Sequence, residues 1–393
     1  MTDSLYVAWR YVRFNKVKTA TLIACITLIA FLPLALQLLL AESERQLMSR
    51  AVSTPLLVGA KGSALDLVMN TLYFGDEVPE AITMADAERV EESGLAFPIP
   101  VYARFRARDY PIVGTTLDYF DFRGLQMAAG RPLAIVGDAV LGTAVAERLG
   151  LEPGDALVSS PENLFDLAGV YPLKMNVAGV LKKSHSPDDL AVFVDIKTAW
   201  IIEGLGHGHQ DLVKSEDASV ILKRTYNNVT ANAKLQIYTE ISKLNLGSFH
   251  FHGDNSKYRL TAVIAIPKDT KSGTILRGRY ISDGETNQVI KPAEVIDGLL
   301  QSIFRIKDVI DGVIFLVGLA TLLAIVLVFA LSLRLRQREI QTIFKLGCSR
   351  MTIARLMGAE IFIIIVSSAV LCALMILGLN HFSNDLVRMA FIK

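Results

Sequence analysis

Two unbroken apolar stretches near the C-terminal end bracket a short cationic loop, and this arrangement restricts the chain to a membrane-spanning architecture. Val309 to Leu333 is 25 residues long with Asp311 as its one charge, and Ile361 to Leu379 is 19 residues long with none. At about 1.5 Å per residue each stretch crosses a hydrocarbon core of about 30 Å, so both are predicted to be transmembrane helices. Between them lie Arg334, Arg336, Arg338, Lys345, Arg350 and Arg355, opposed by Glu339 and Glu360. The excess of cations places this loop in the cytoplasm. Within it, Ile340, Ile343, Phe344 and Gly347 fall on one face of a short helix that Gly347 is suited to end. A new helix is predicted to start in Cys348-Ser349-Arg350-Met351-Thr352.

A third span is predicted over residues 19–41, where 23 residues carry no charge and Pro33 is the one interruption. It is longer than the core of a signal peptide, which argues for an uncleaved anchor. Residues 1–18 mix Tyr6, Trp9, Tyr11 and Phe14 with Arg10, Arg13, Lys16 and Lys18. That mixture suits an amphipathic helix lying on the inner, cytosolic membrane surface. Alternation of sides then makes 42–308 external and the tail 380–393 external. Residues 42–53 and 292–308 read as polar helices that prolong the spans at 19–41 and 309–333, forming a stalk beneath a domain at 54–291. The basic excess sits beside the spans, and nothing in the sequence forms the basic stripe of a nucleic-acid-binding face. The three cysteines, Cys25, Cys348 and Cys372, all lie in or beside membrane segments, so the middle domain is stabilised without disulfides.

In that domain, β-prone runs at 110–113, 139–142, 177–181, 190–195, 218–222 and 260–266 alternate with short helical ones, which is the pattern of a mixed α/β fold. Val58-Gly59-Ala60-Lys61-Gly62-Ser63 superficially suggests a phosphate loop, but it lacks the Gly-Lys-Ser/Thr order and lies on the external side. It reads instead as a turn before a helix over 65–73. His207-Gly208-His209 and His250-Phe251-His252 have metal-ligand spacing, with His185, Asp188 and Asp189 as candidate partners. Glycine-flanked histidines are more often solvated loop residues, so no metal site is expected. No catalytic triad, framed carboxylate pair or redox cysteine pair is present. Asp308 and Asp311 read as hydrated residues at headgroup depth.

Arg338-Glu339-Ile340, Ile343-Phe344, Leu346-Gly347 and Glu360 follow one another in an order that resembles the cytosolic coupling segment of MacB/FtsX-like ABC transporter permeases, a family that includes LolC/LolE and FtsX relatives. Asp118-Tyr119-Phe120, Gly130-Arg131, Val140-Leu141-Gly142, Val145-Ala146, Arg148-Leu149-Gly150-Leu151, Gly154-Asp155 and Val177-Ala178-Gly179-Val180 similarly resemble the MacB-type extracytoplasmic domain. The resemblance implies an α-helical membrane protein bearing a large α/β domain on a helical stalk, in the cell inner membrane. It implies a permease subunit that works as a dimer of identical or paralogous copies with separate ABC ATPase subunits, which bind ATP and Mg and transmit motion to the external domain. It assigns ATPase coupling to Arg338, Glu339, Ile340, Ile343, Phe344, Lys345, Gly347 and Glu360. The chain has no Walker motif, so it is not expected to be an enzyme or to carry a cofactor. A periplasmic adaptor or substrate protein and membrane lipids are further expected partners. The family has four spans and a cytosolic tail, whereas three are predicted here, which reads as a three-span variant or a truncation. An FtsX-like signalling protein and a metal-binding membrane receptor are the alternative readings.

Overall fold

The computed structural model describes residues 2–161, 172–208, 221–225, 228–231, 238–242, 244–251, 253–282, 284–335, 337, 341–342, 345, 347 and 349–391. The chain forms two compact units, one of Met1–Leu47 with Leu299–Lys393 and one of Met48–Gly298.

The first unit is helical. A helix over Thr2–Phe14 is followed, after Asn15, by a helix over Lys16–Val52, and further helices cover Pro292–Leu335 and Arg350–Phe391. Helices Lys16–Val52 and Met351–Asn380 are long and apolar enough to cross a membrane, and Asp311–Ala320 is a shorter apolar segment. The predicted anchor 19–41 and stalk 42–53 form one helix, as do the predicted stalk 292–308 and span 309–333. The last helix runs on through most of the predicted tail. Thr2–Phe14 buries Ala8 and Val12 against Ile363 while Tyr6, Trp9 and Phe14 stay exposed.

The second unit is a mixed α/β domain built on an eleven-stranded sheet among the described residues. Across it the strands run in the order Asn287–Ile290, Leu56–Ala60, Ala262–Pro267, Ala96–Tyr102, Tyr110–Thr115, Val192–Asp195, Asp138–Leu141, Lys174–Leu181 and Met127–Gly130. Two short strands, Arg106–Ala107 and Ala156–Val158, pair off this path. Pairing is antiparallel except between Val192–Asp195 and Tyr110–Thr115 and between Asp138–Leu141 and Lys174–Leu181. Leu56, Leu57 and Val58 are all buried, as a strand covered on both faces requires.

The stretch 58–63 is therefore not only a turn: its first half belongs to strand Leu56–Ala60, which is paired on both edges. Ser63 then caps helix Ala64–Tyr73 by accepting from the Asp66 amide. Strand Ala96–Tyr102 contains Pro98 and Pro100, residues that normally bar a strand from a sheet interior. Val101 O accepts from Thr261 N at 3.0 Å, on the side of Ala262–Pro267. By alternation Pro98 and Pro100 face the other way, where the ladder to Tyr110–Thr115 holds only Val101 and Tyr102. Their missing N–H groups thus cost no ladder bond, and the Pro100 carbonyl accepts from Thr115 Oγ1 at 2.9 Å.

Candidate functional site

The last turn of helix Lys16–Val52 enters the α/β unit, and there Arg50 is only 7% exposed. Its guanidinium grips Asp188 bidentately, Nη1 donating to Oδ2 at 2.6 Å and Nη2 to Oδ1 at 2.8 Å. Arg50 Nη2 also donates to the Tyr119 hydroxyl at 2.8 Å, and that hydroxyl donates to Asp188 Oδ1 at 2.8 Å. Ser186 Oγ donates to Asp188 Oδ2 at 2.7 Å. Fork-to-fork geometry and closure of the polar ring are what make a buried ion pair tolerable.

Four separate elements meet at this point. Asp188 sits in the single turn Pro187–Leu190, which Ser186 caps, and Tyr119 in helix Leu117–Arg123. Arg123, from the end of that helix, donates to Ser53 Oγ at 3.2 Å and Thr54 Oγ1 at 2.8 Å. Both of those hydroxyls donate in turn to the Arg50 carbonyl, which ties off the helix end. The Arg50 guanidinium also lies 5.6 Å from the ring centroid of Phe74, which ends helix Ala64–Tyr73 in the left-handed region at φ +56°. A non-glycine residue held there costs about 1–2 kcal/mol, and contact with Arg50 and Phe193 keeps it in place.

Charge at the junction is mutually fixed. Burial by itself raises the Asp188 pKa, but the adjoining Arg50 charge outweighs it and holds the carboxyl at about 2. Burial likewise disfavours the Arg50 cation, and Asp188 outweighs that too, keeping Arg50 above its usual value. Burial lifts Tyr119 to about 12. Arg123 is pushed down by burial and by the neighbouring Arg50.

Asp188 and Asp189, weighed in the sequence with His185 as partners of the histidine pairs around a metal, have other contacts. Asp188 belongs to Arg50, and Asp189 accepts from Ser184 N, Ser184 Oγ and His185 N at 2.8–2.9 Å. No group of three or more metal-ligating side chains occurs among the described residues. His207 and His250 face each other across a short ribbon, whereas His209 and His252 lie outside the described residues.

Of the residues predicted to couple to an ATPase, Arg338, Glu339, Ile340, Ile343 and Phe344 lie outside the described residues. Lys345 is helical and exposed, and Gly347 has φ +91°. Ser349 Oγ accepts from Thr352 N at 3.2 Å, which starts the last helix. Glu360 is only 6% exposed, and Lys18 Nζ lies 3.6 Å from its Oε1. It therefore faces the foot of helix Lys16–Val52 instead of open solvent. Nine residues up from Lys18, Thr27 Oγ1 donates to the Ser368 carbonyl at 3.4 Å.

A large mixed α/β domain, with helices apolar enough to cross a membrane in the flanking segments, defines a membrane protein with a folded extramembrane domain. Residues 23–238, more than half of the chain, match the family described as the MacB-like periplasmic core domain. The chain belongs to that family and so to the MacB/FtsX-like ABC transporter permeases. No curated protein matches the sequence. Among solved structures the chain is similar to the extracellular domain of the noncanonical ABC-type transporter YknZ from Gram-positive bacteria, at 12% identity and a TM-score of 0.32, over 60% of this chain and 98% of that one. It is also similar to the periplasmic region of MacB from Actinobacillus actinomycetemcomitans, at 11% identity and a TM-score of 0.34, over 65% of this chain and 97% of that one.

Proposed function

We propose that the chain is a permease subunit in which ATP-driven motion of separate ATPase subunits reaches an extracytoplasmic domain through helix Lys16–Val52. The observation that carries this reading is that one helix contains both an apolar stretch of membrane-crossing length and, in its last turn, the buried Arg50 anchor of the α/β unit. A displacement of that helix end has to move Asp188, Tyr119 and the strands beside them, because the anchor is desolvated and bidentate. Movement begins, in this reading, at the segment 334–360, whose residues Ile340, Ile343 and Phe344 dock on the ATPase. The working unit is a dimer, and ATP and Mg reside in the partner.

Phe344→Asp tests the docking step. Burial of a phenylalanine contributes about 1.5–3 kcal/mol, and the substitution also places a charge in a desolvated contact. The variant is expected to insert in the membrane at wild-type levels yet to lose co-purification of its ATPase. Retention of wild-type ATPase binding and stimulated hydrolysis would reduce the loop to an inner anchor. ATPase stimulation by a protein partner alone would favour the signalling reading over transport.

Topology has its own test. Single cysteines at Asp254 and Ser349, in a background lacking Cys25, Cys348 and Cys372, are expected to differ on intact spheroplasts, with an impermeant thiol reagent labelling position 254 alone. The reverse pattern would overturn the external placement of the domain.

A further inference from the structure

Helix Lys16–Val52 has no short covalent path to the coupling segment 334–360, because the whole α/β domain and helix Pro292–Leu335 lie between them in the chain. A push at that segment therefore reaches the helix through side-to-side packing, or only by way of the domain it has to move. The last helix, Arg350–Phe391, begins inside the segment at the Ser349 cap and belongs to the same helical unit as the first 47 residues. Buried Glu360, Ile364, Ser368 and Cys372 recur every four positions along it, whereas Phe362, Ile365, Val366 and Val370 are exposed. Four-residue spacing makes a single narrow stripe on a helix.

That stripe meets helix Lys16–Val52 at two levels. At the foot, Lys18 Nζ lies 3.6 Å from Glu360 Oε1. Higher up, Thr27 Oγ1 donates to the Ser368 carbonyl and Ser368 Oγ donates to the Ile23 carbonyl, both at 3.4 Å, with Thr27 and Ser368 buried. From the lower contact to the upper, the two helices advance about 13.5 and 12 Å, so they run side by side in the same direction. Hydroxyls that bond across helices in this way hold them together where lipid offers no hydrophobic drive. Helix Thr2–Phe14 packs on the same foot, where Ala8 and Val12 are buried with Ile363. Asn15 N donates to Tyr11 O, Thr19 N to Asn15 O and Thr19 Oγ1 to Val12 O, so hydrogen bonds run through the bend at Asn15 and join that helix to the start of Lys16–Val52.

We propose that the foot of helix Lys16–Val52 and the first half of helix Arg350–Phe391 move as one body, and that the Lys18–Glu360 and Thr27–Ser368 contacts carry motion sideways from the second to the first. The inference rests on the coupling reading for where motion starts, and it adds the route by which motion crosses between helices. With these contacts broken, the coupling segment displaces the last helix while helix Lys16–Val52 stays behind.

The test uses the complex co-purified with its ATPase, in a background lacking Cys25, Cys348 and Cys372. Thr27→Cys with Ser368→Cys is expected to form an intrachain disulfide on oxidation, identified by mass spectrometry of the monomer band, to the same extent without nucleotide and with ATP, Mg and vanadate. A disulfide in only one of these states, or in neither, would overturn the one-body assignment. Arg45→Cys, at an exposed position farther along helix Lys16–Val52, is expected to react with a thiol reagent at a rate that differs between the two states. Lys18→Glu, which sets two carboxylates together, is expected to abolish that difference while the ATPase still co-purifies, and Lys18→Arg is expected to retain it. Ser368→Leu, which overpacks the upper contact, is expected to abolish it without touching the ion pair. A nucleotide response at position 45 that persists in both Lys18→Glu and Ser368→Leu would overturn the route and leave the coupling reading standing. No response in the parent complex with ATPase bound would overturn the coupling reading, and the route with it.

Discussion

Asp188→Ala is expected to lower the stability of the α/β unit by about 3–5 kcal/mol, the cost of leaving a buried arginine with no counter-charge. The midpoint of unfolding would fall accordingly, read from Trp200 fluorescence in a Trp9→Phe background. Trp200 is 4% exposed and lies inside this unit, so its emission reports on the right transition. Arg50→Met combined with Asp188→Leu is expected to be closer to wild type than either single change, because the pair together carries its own desolvation cost. Wild-type stability in Asp188→Ala would mean that the carboxylate is not the partner that keeps Arg50 tolerable. The same pair sets an acid limit. Asp188 titrates at about 2 in the folded protein against an ordinary 3.8, so its contribution is present above the unfolded value and is lost as pH falls from there through the folded one. A difference of this size corresponds to roughly 2 kcal/mol. In Asp188→Ala this part of the acid dependence is expected to disappear.

Gly142→Ala is expected to be comparably severe for a different reason. A Cβ at this position would lie 2.3 Å from the Asp188 carbonyl oxygen and 2.4 Å from the carbonyl carbon and oxygen of Asp189. These are backbone atoms, so no rotamer change relieves the contact, and the turn Ser186–Leu190 has to move away from strand Asp138–Leu141. Overpacking of this kind costs about 1–3 kcal/mol, and more where the displaced turn takes Asp188 off Arg50. Both substitutions damage one junction, so their effects are expected to be less than additive. A double variant whose loss equals the sum of the two singles would show that Gly142 acts independently of Arg50.

The membrane character of the chain, the helical junction segments and the mixed α/β domain were all legible from runs of apolar residues and from alternation. The family motifs were legible too, and the structure gives some of them a physical reason. Gly142 lies under the turn that carries Asp188. Arg131 Nη2 donates to buried Asp138 Oδ1 at 2.9 Å, and Gly130 leaves only 2.3 Å between its missing Cβ and the Ala178 carbonyl oxygen. The junction itself was not legible. Arg45 and Arg50 occupy the same polar stretch of one helix, yet Arg45 pairs with Glu42 at the surface while Arg50 is buried, and nothing local separates them. Their difference comes from Asp188, 138 positions away in sequence. Strand Ala96–Tyr102 was hidden by its two prolines, whose tolerance depends on which neighbour each missing N–H faces. Strand Leu56–Ala60 was hidden by glycines that resemble a turn, though Gly59 serves a close approach to Leu67. The histidine pairs were visible as a motif, but that His207 meets His250 rests on the register of two strands separated by a long stretch of chain.

The sheet order also dictates when the domain is able to finish folding. The first strand, Leu56–Ala60, lies between Asn287–Ile290 and Ala262–Pro267, two strands from the far end of the domain sequence. Both of its ladder partners are therefore among the last segments of the domain to leave the ribosome. Until then its two edges are bare, and its leucines have no sheet to be buried in. Such long-range closure is slow because the loop entropy is lost before the contacts form. A nascent chain halted before residue 262 is thus expected to expose an unpaired strand next to the first anchor, where a chaperone has both reason and time to bind.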